Sequence, residues 1–351
     1  MEGISREELA LAARNHGMPL EALRYPVTPL GLHYLLTHFD IPAVDPAGWS
    51  LKIGGLVARP VELTLAEIRA MPAVETIATM ECAGNGRALL EPRPFSQPWL
   101  HEAVGTGAWL GTSLRPILDA AGILDGAVEV VFTSLDRGIE AGLEQSYARS
   151  LTLEEALRDD VVLAWGLNGV PLPPQHGFPL RLLVPGWYGM TNVKWLASIE
   201  AVAEPFTGHQ QHVSYRLRQE ADEAGIPLTR ILPRALLIPP GTPDFPSGRR
   251  TLRAGLRMLE GRAWSGWGAI ESVEVSTDDG RTWSVAELER DLDSRSAWIR
   301  WQLEWNAPVG EHDLRCRATD AAGNTQPDDA QWNLGGYANN APQRVHVTVT
   351  P

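Results

Sequence analysis

A change of texture near residue 232 constrains this chain's fold more than any other feature of its sequence. Beyond it come short runs in which apolar residues recur at every second position: Ser272–Ser276, Trp298–Trp301, Asp313–Ala318 and Val345–Val349. That period puts the apolar side chains of each run on one face of a strand. Thr277-Asp278-Asp279-Gly280 and Ala322-Gly323-Asn324 separate the runs with residues suited to tight turns. One short acidic segment, 285–290, reads as a helix, and other helical signals are almost absent. Strands of this kind bury their apolar faces by closing against a second sheet, so 232–351 is expected to form an antiparallel β-sandwich of immunoglobulin type. Seven of the 13 tryptophans fall here, a density that suits a sandwich core or an oligomer interface. Cys316, in the middle of an alternating run, reads as a core thiol.

Upstream the pattern is mixed. Ser5 with Glu8, and Thr64 with Glu67, have the spacing of capping boxes and predict two helix starts. Ser113 is expected to cap a third helix, running through Leu114, Ile117 and Leu118 to a stop at Gly122. Val128–Thr133, Val161–Ala164 and Leu180–Val184 are β-type runs. Strands and short helices alternate irregularly, and no Gly-rich phosphate loop is visible, so a regular βαβ winding is excluded. The fold class is α+β, in three parts: an N-terminal helical arm at 1–28, a mixed α+β domain at 29–231 and the sandwich at 232–351.

Of the 351 residues, 44% are apolar and 21% charged, as in soluble globular proteins, and the net charge is −13. Such a balance argues against a nucleic-acid partner, and any anion site must be built from individual groups. No apolar stretch approaches the roughly 20 residues of a membrane span. The N-terminus has no signal-peptide pattern, and two cysteines far apart suggest a reducing compartment, so a cytoplasmic location is expected. Lys52 and Lys194 are the only lysines among 30 basic residues, which singles out Lys194 as a compact point charge.

Cys82 lies in Glu81-Cys82-Ala83-Gly84-Asn85-Gly86-Arg87, among turn formers rather than core residues. The glycines allow close approach of a large group, and Arg87 favours a thiolate, the form that binds a soft metal. A free cysteine buried beside a glycine turn fits the same residues. The run resembles the CAGN-R motif of the sulfite oxidase family of molybdenum enzymes. Further blocks follow in the family's order: His176–Arg181, Val184–Gly189, Asn192–Leu196 and Gly261–Gly266. The similarity extends from about residue 30 to the end of the chain.

The resemblance implies a molybdenum-molybdopterin cofactor, with Cys82 as metal ligand. By motif position it also implies cofactor contacts from His33, Tyr34, Thr37, His38, Asp136, His176, Arg181, Asn192 and Lys194. Tyr215 would hydrogen-bond the transferred oxygen or a bound oxyanion, and Arg87 would anchor the anion as a catalytic residue. Simpler roles suit some of them individually: a turn for His176, an ion pair for Arg181, core packing for Tyr215. A homodimer through the C-terminal domain is implied too. The chain has no haem-attachment motif, so electrons would pass to an external partner, a cytochrome or small carrier.

The chain departs from the family at arginine positions, with Leu36, Gly86, Met190-Thr191 and Gly335 in their place. Two of these would hold a substrate anion. At about 1.5–3 kcal/mol per charge-assisted hydrogen bond, losing two weakens sulfite binding by roughly 3–6 kcal/mol. Arg87, His38, Lys194 and Arg216 are the candidates to compensate. Sulfite oxidation to sulfate is the leading expectation. Reduction of a sulfoxide, N-oxide or other oxo substrate is the alternative on the same cofactor, and a non-catalytic dimeric scaffold is the alternative without it.

Overall fold

The computed structural model describes residues 3–351. Its first helix, Arg6–Arg14, starts at Ser5, whose side chain accepts from the Glu8 amide while the Glu8 carboxylate accepts from the Ser5 amide. The second capping box is likewise formed, at Thr64 and Glu67, and opens helix Leu65–Ala70. Helices are short throughout, with nine residues in Arg6–Arg14 and seven in Arg115–Ala121. The N-terminal part is therefore richer in strand than the alternation of the sequence suggests.

Two five-stranded sheets build that part. One has the spatial order Val61–Thr64, Ser50–Gly55, Leu196–Val202, Glu129–Glu140, Leu143–Thr152. Its Ser50–Gly55 and Leu196–Val202 strands are parallel, and its other pairs are antiparallel. The second sheet runs Ala73–Glu81, Val104–Ser113, Val162–Leu167, Val170–Pro171, with Arg181–Leu183 also paired to Val162–Leu167. Val162–Leu167 is buried along its whole length, which explains its unbroken apolar sequence. Leu51, Ile53, Phe132, Leu163, Leu182 and Ile199 join the two sheets in one core.

From Arg234 on, a four-stranded and a six-stranded sheet face each other. Leu259, Ala263, Ile299 and Trp301 of the first meet Val273, Val275, Leu314, Cys316 and Val347 of the second. Cys316 is a buried core thiol, as its alternating run predicts.

Two local expectations are corrected. Ser113 is the last residue of strand Val104–Ser113, pairing with Val162, and the helix begins after Leu114 without a side-chain cap. The ladder takes priority over the capping signal, although Gly122 does end the helix in the left-handed conformation. The segment 285–290 is no helix but two short strands, Ser284–Val285 and Glu287–Glu289. Glu287 and Glu289 face solvent on either side of the half-buried Leu288, a period of two that their charge disguises. Among the described residues no helix is long and apolar enough to cross a membrane.

Candidate active site

Strand Ala73–Glu81 delivers the thiol: Cys82 follows its last residue, and its amide donates to the Ala103 carbonyl at 2.9 Å. The chain then turns, with Asn85 donating to the Cys82 carbonyl at 2.9 Å and Arg87 to that of Gly84 at 3.0 Å. Gly86 sits at φ 88°, and a Cβ there would lie 2.9 Å from the Asn339 carbonyl oxygen, so no basic side chain fits this position. Residues from the far end of the chain hold the turn. Ala338 donates to the Ala83 carbonyl at 2.7 Å, and Asn339 Nδ2 to that of Gly86 at 2.8 Å.

The thiol lines a pocket. Around it stand His33, Tyr34, His38, Asp136, His176, Arg181, Asn192, Lys194 and Tyr215, together with Leu36, Met80, Tyr147 and Met190. Ten of the twelve residues named from sequence thus converge on one cavity. Trp195 and Tyr215, both in its wall, have φ of 49° and 53°, a region that costs a side-chain-bearing residue roughly 1–2 kcal/mol. Such strain is held where surrounding structure over-determines it, as at binding sites.

Burial decides the charge states. Cys82 is 6% exposed, and its burial pushes the thiol up, opposed in second place by the Arg87 charge. The preference for thiolate expected from Arg87 is therefore outweighed in the protein alone. His33 is lowered to about 4 and His176 to about 2, chiefly by burial, so both are neutral at pH 7. His33 Nδ1 lies 3.1 Å from the Tyr34 carbonyl. The proton therefore sits on Nδ1, leaving Nε2, which has no partner among the described residues, as a bare acceptor. Burial also lowers Lys194 to about 7 and Arg181 to about 10. Asp136, accepting from the Ser134 hydroxyl, is raised by burial, with Ser134 and Lys194 acting against it.

The cations are held by neutral groups. Arg181 donates to the carbonyls of His176 at 3.0 Å and Asn192 at 3.1 Å, and lies 4.7 Å from the centre of the Trp109 ring. Its Nε has no partner among the described residues. Lys194 donates to the carbonyls of Leu36 at 2.8 Å and Gln175 at 3.1 Å. Asn192 does line the cavity, but its amide is spent on the chain: Oδ1 accepts from Val184 at 2.7 Å and Nδ2 donates to Tyr188 at 3.2 Å. It frames the wall rather than offering a free hydrogen-bonding group.

Two assignments need correction. Arg87 does not line the pocket. Its Nε donates to the Gly335 carbonyl at 2.9 Å and Nη1 to that of Gln97 at 3.2 Å, with the guanidinium 5.1 Å from the Tyr337 ring centre. It braces the thiol loop and is not a free anion anchor. Thr37 is also outside the lining; its amide donates to Asn15 Oδ1 at 2.7 Å, tying the segment to the N-terminal arm. Arg216 is committed as well, to the carbonyls of Ala224 and Gly225. The glycine at 335 has a steric cause: a Cβ there would lie 2.2 Å from the Tyr337 ring, which packs 5.2 Å from that of Tyr215.

Sequence reading missed Tyr147, whose hydroxyl donates to the Met190 carbonyl at 2.6 Å, and Glu140, beside the lining residue His38. Glu140 lies 3.1 Å from His38 Nε2 and 3.5 Å from His209 Nε2, and accepts from Gln210 at 2.8 Å. Tyr147 and the buried Arg149 stand two apart in strand Leu143–Thr152, and that spacing on one face was the available signal.

A metal-pterin group fits these donors. Among the described residues no cluster of three His, Cys, Asp or Glu suits a metal ion, so a metal at Cys82 must bring its other ligands with it. The bare His33 Nε2, the free Arg181 Nε–H and the Lys194 ammonium supply an acceptor, a donor and a charge for a large anionic group.

Comparison with known proteins agrees. Residues 38–210 match the family described as oxidoreductase molybdopterin binding domain, and 249–350 the Mo-co oxidoreductase dimerisation domain. Human mitochondrial sulfite oxidase is 33% identical over 346 residues, covering 93% of this chain but 62% of that protein. Sulfite oxidase of Gallus gallus is 34% identical, covering 90% of this chain and 72% of its relative. The sulfane dehydrogenase SoxCD of Paracoccus pantotrophus superposes with a TM-score of 0.82 at 25% identity, over 95% of this chain and 86% of that one. The chain is a member of the sulfite oxidase family of molybdopterin-dependent oxidoreductases, and its cofactor is molybdenum-molybdopterin.

Proposed function

We propose that this oxidoreductase converts sulfite to sulfate and delivers the electrons to a separate carrier. The observation that carries the reading is a buried thiol in a cavity whose walls hold the cations Arg181 and Lys194, answered only by neutral groups. When bound, the cofactor supplies oxygen-atom transfer and holds two electrons. In the balance, sulfite takes an oxygen that derives from water, and two protons and two electrons leave.

The residues divide the remaining work. Cys82 would hold the metal through sulfur. His33, Arg181 and Lys194 would bind the pterin side, with Tyr34, His38, Asp136 and His176 completing its surroundings. Tyr215, kept protonated by burial well above its ordinary value, would donate a hydrogen bond to a bound oxyanion. His38, Glu140 and His209 offer hydrogen-bonding groups for protons leaving the cavity.

Residues 29–231 would form the cofactor domain, and 232–351 an immunoglobulin-like domain through which two copies associate. The match to a dimerisation family and the two facing sheets support this, and a single species of monomer mass by light scattering would refute it. A charge of −13 suits a basic electron carrier, cytochrome or small molecule, and two free buried cysteines suit a reducing cytoplasm. Location of the tagged protein outside the cytoplasm would refute the latter.

The test of the reaction is the visible absorbance of the oxidised protein before and after anaerobic addition of sulfite. Bleaching of the thiolate-to-molybdenum band is expected. A band that persists at saturating sulfite removes sulfite as the substrate.

A further inference from the structure

Arg149 stands apart from every other buried cation. It is 2% exposed, on strand Leu143–Thr152 opposite Phe132. Among the described residues its guanidinium takes part in no ion pair and makes one hydrogen bond, from Nη1 to the Gln210 carbonyl; its Nε–H has no partner. A guanidinium carries five N–H donors, and a buried charge this poorly answered is unfavourable unless something else pairs with it. Its neighbours are phenols. The guanidinium carbon is 5.7 Å from the centre of the Tyr215 ring, and the strand's period puts Tyr147 on the same face. Both tyrosines line the cavity; Arg149 itself is outside the lining, against the Tyr215 ring. By contrast Arg181 and Lys194 are each tied to two carbonyls.

We propose that Arg149 is the anion anchor of this pocket, a specificity-determining residue whose charge, set beside the Tyr147–Tyr215 wall, holds an oxyanion against that wall. It takes the part that Arg87 and Arg216 cannot, since both are spent on backbone carbonyls. The substrate class is a small, tetrahedral or pyramidal oxyanion, and this assignment deepens the sulfite reading and rests on it. Burial lowers the guanidinium's own pKa, yet an arginine remains charged at neutral pH, so the cation persists when the site is vacant.

The experiment is calorimetric titration of the holoenzyme with inorganic sulfate, an unreactive analogue, in wild type, Arg149→Met and Arg149→Lys, alongside sulfite kinetics. Loss of one charge-assisted contact predicts sulfate binding weakened roughly 10- to 100-fold in Arg149→Met, with a smaller loss in Arg149→Lys. For sulfite, KM should rise by a similar factor while kcat changes little. A role confined to holding the Gln210 carbonyl would lower both forms' melting temperature and leave sulfate affinity intact. Unchanged affinity in both variants, or a wild type that binds no sulfate, overturns the proposal. Should Arg149→Met fail to fold, Arg149→Gln decides: it removes the charge but keeps a donor for the Gln210 carbonyl, and an unchanged sulfate affinity overturns the assignment. A wild type that binds sulfate through Arg149 yet is inert to sulfite overturns the sulfite reading and leaves the anchor standing.

Discussion

Arg234 and Arg262, on the sandwich side of its junction with the N-terminal part, each face a carboxylate, whereas among the described residues Arg149, Arg181 and Lys194, in or beside the pocket, form no ion pair. Arg234 Nε lies 2.8 Å from Glu81 Oε1, with the two side chains 2% and 1% exposed; the N–H is not aimed at the oxygen, so the contact is an ion pair rather than a hydrogen bond. Glu81 is further held by Trp264 Nε1 at 2.8 Å and Asn85 Nδ2 at 3.0 Å. Arg262 pairs with Asp291 at 2.6 Å. The Glu81–Arg234 pair joins the N-terminal part to the sandwich, and the Arg262–Asp291 pair closes within the sandwich. Charges answered only by carbonyls leave electrostatic capacity for a guest, at a cost in the empty protein.

The largest expected effect falls on the pocket side. Cys82→Ser removes the soft ligand, and sulfite turnover should vanish while the melting temperature of the cofactor-free protein holds; residual turnover above background would show that the thiol is not the metal's ligand. Lys194→Met should lower molybdenum content several-fold by elemental analysis. Its cofactor-free form should lose no stability, because a half-buried, unpaired ammonium is gone.

The paired side should behave in the opposite way. Glu81→Ala leaves Arg234 buried without its partner, and chemical denaturation should show a loss of about 3–5 kcal/mol. A loss no greater than that in Lys194→Met would erase the distinction between the two regions.

Acid sharpens the comparison further. His33 (about 4), His101 (about 3) and His176 (about 2) have folded-state values depressed below an unfolded value near 6.5. Their contribution is present above that value and is lost as pH falls, because the unfolded chain takes up protons that the folded one refuses. The loss is roughly 1.4 kcal/mol per histidine for each pH unit below about 6.5, down to each folded value. Equilibrium denaturation between pH 7 and pH 5 checks it; a flat profile would mean these rings are not buried neutral. The smallest effect belongs to the arm, where Ser5→Ala should cost about 1 kcal/mol through the lost cap.

Local rules were legible in the sequence, and long-range ones were not. Ser5 with Glu8 and Thr64 with Glu67 fix helix starts within four residues, so spacing suffices to find them. Alternation likewise located Ile270–Ser276 and Gly310–Asp320. It failed at Glu287–Glu289, where charge masked the period, and at Ser113, where a ladder displaced a cap. Motif order drew Cys82, His176, Arg181 and Lys194 to one cavity. It could not reveal that Arg87 would be claimed by Gly335, because nothing near residue 87 encodes a partner 248 positions away. Arg149 was missed for a related reason: its meaning lies in the absence of a carboxylate, which only the assembled neighbourhood displays.

The clasp between the thiol loop and residues 335–339 has a temporal side. A chain is made from its N-terminus, and Cys82 leaves the ribosome long before Ala338 and Asn339 exist. Its sheets can pair early, yet the turn that presents the sulfur acquires its backing only once residues 335–339 have been synthesised. A fragment that ends before residue 335 would lack the contacts from Gly335, Ala338 and Asn339 that brace the thiol loop.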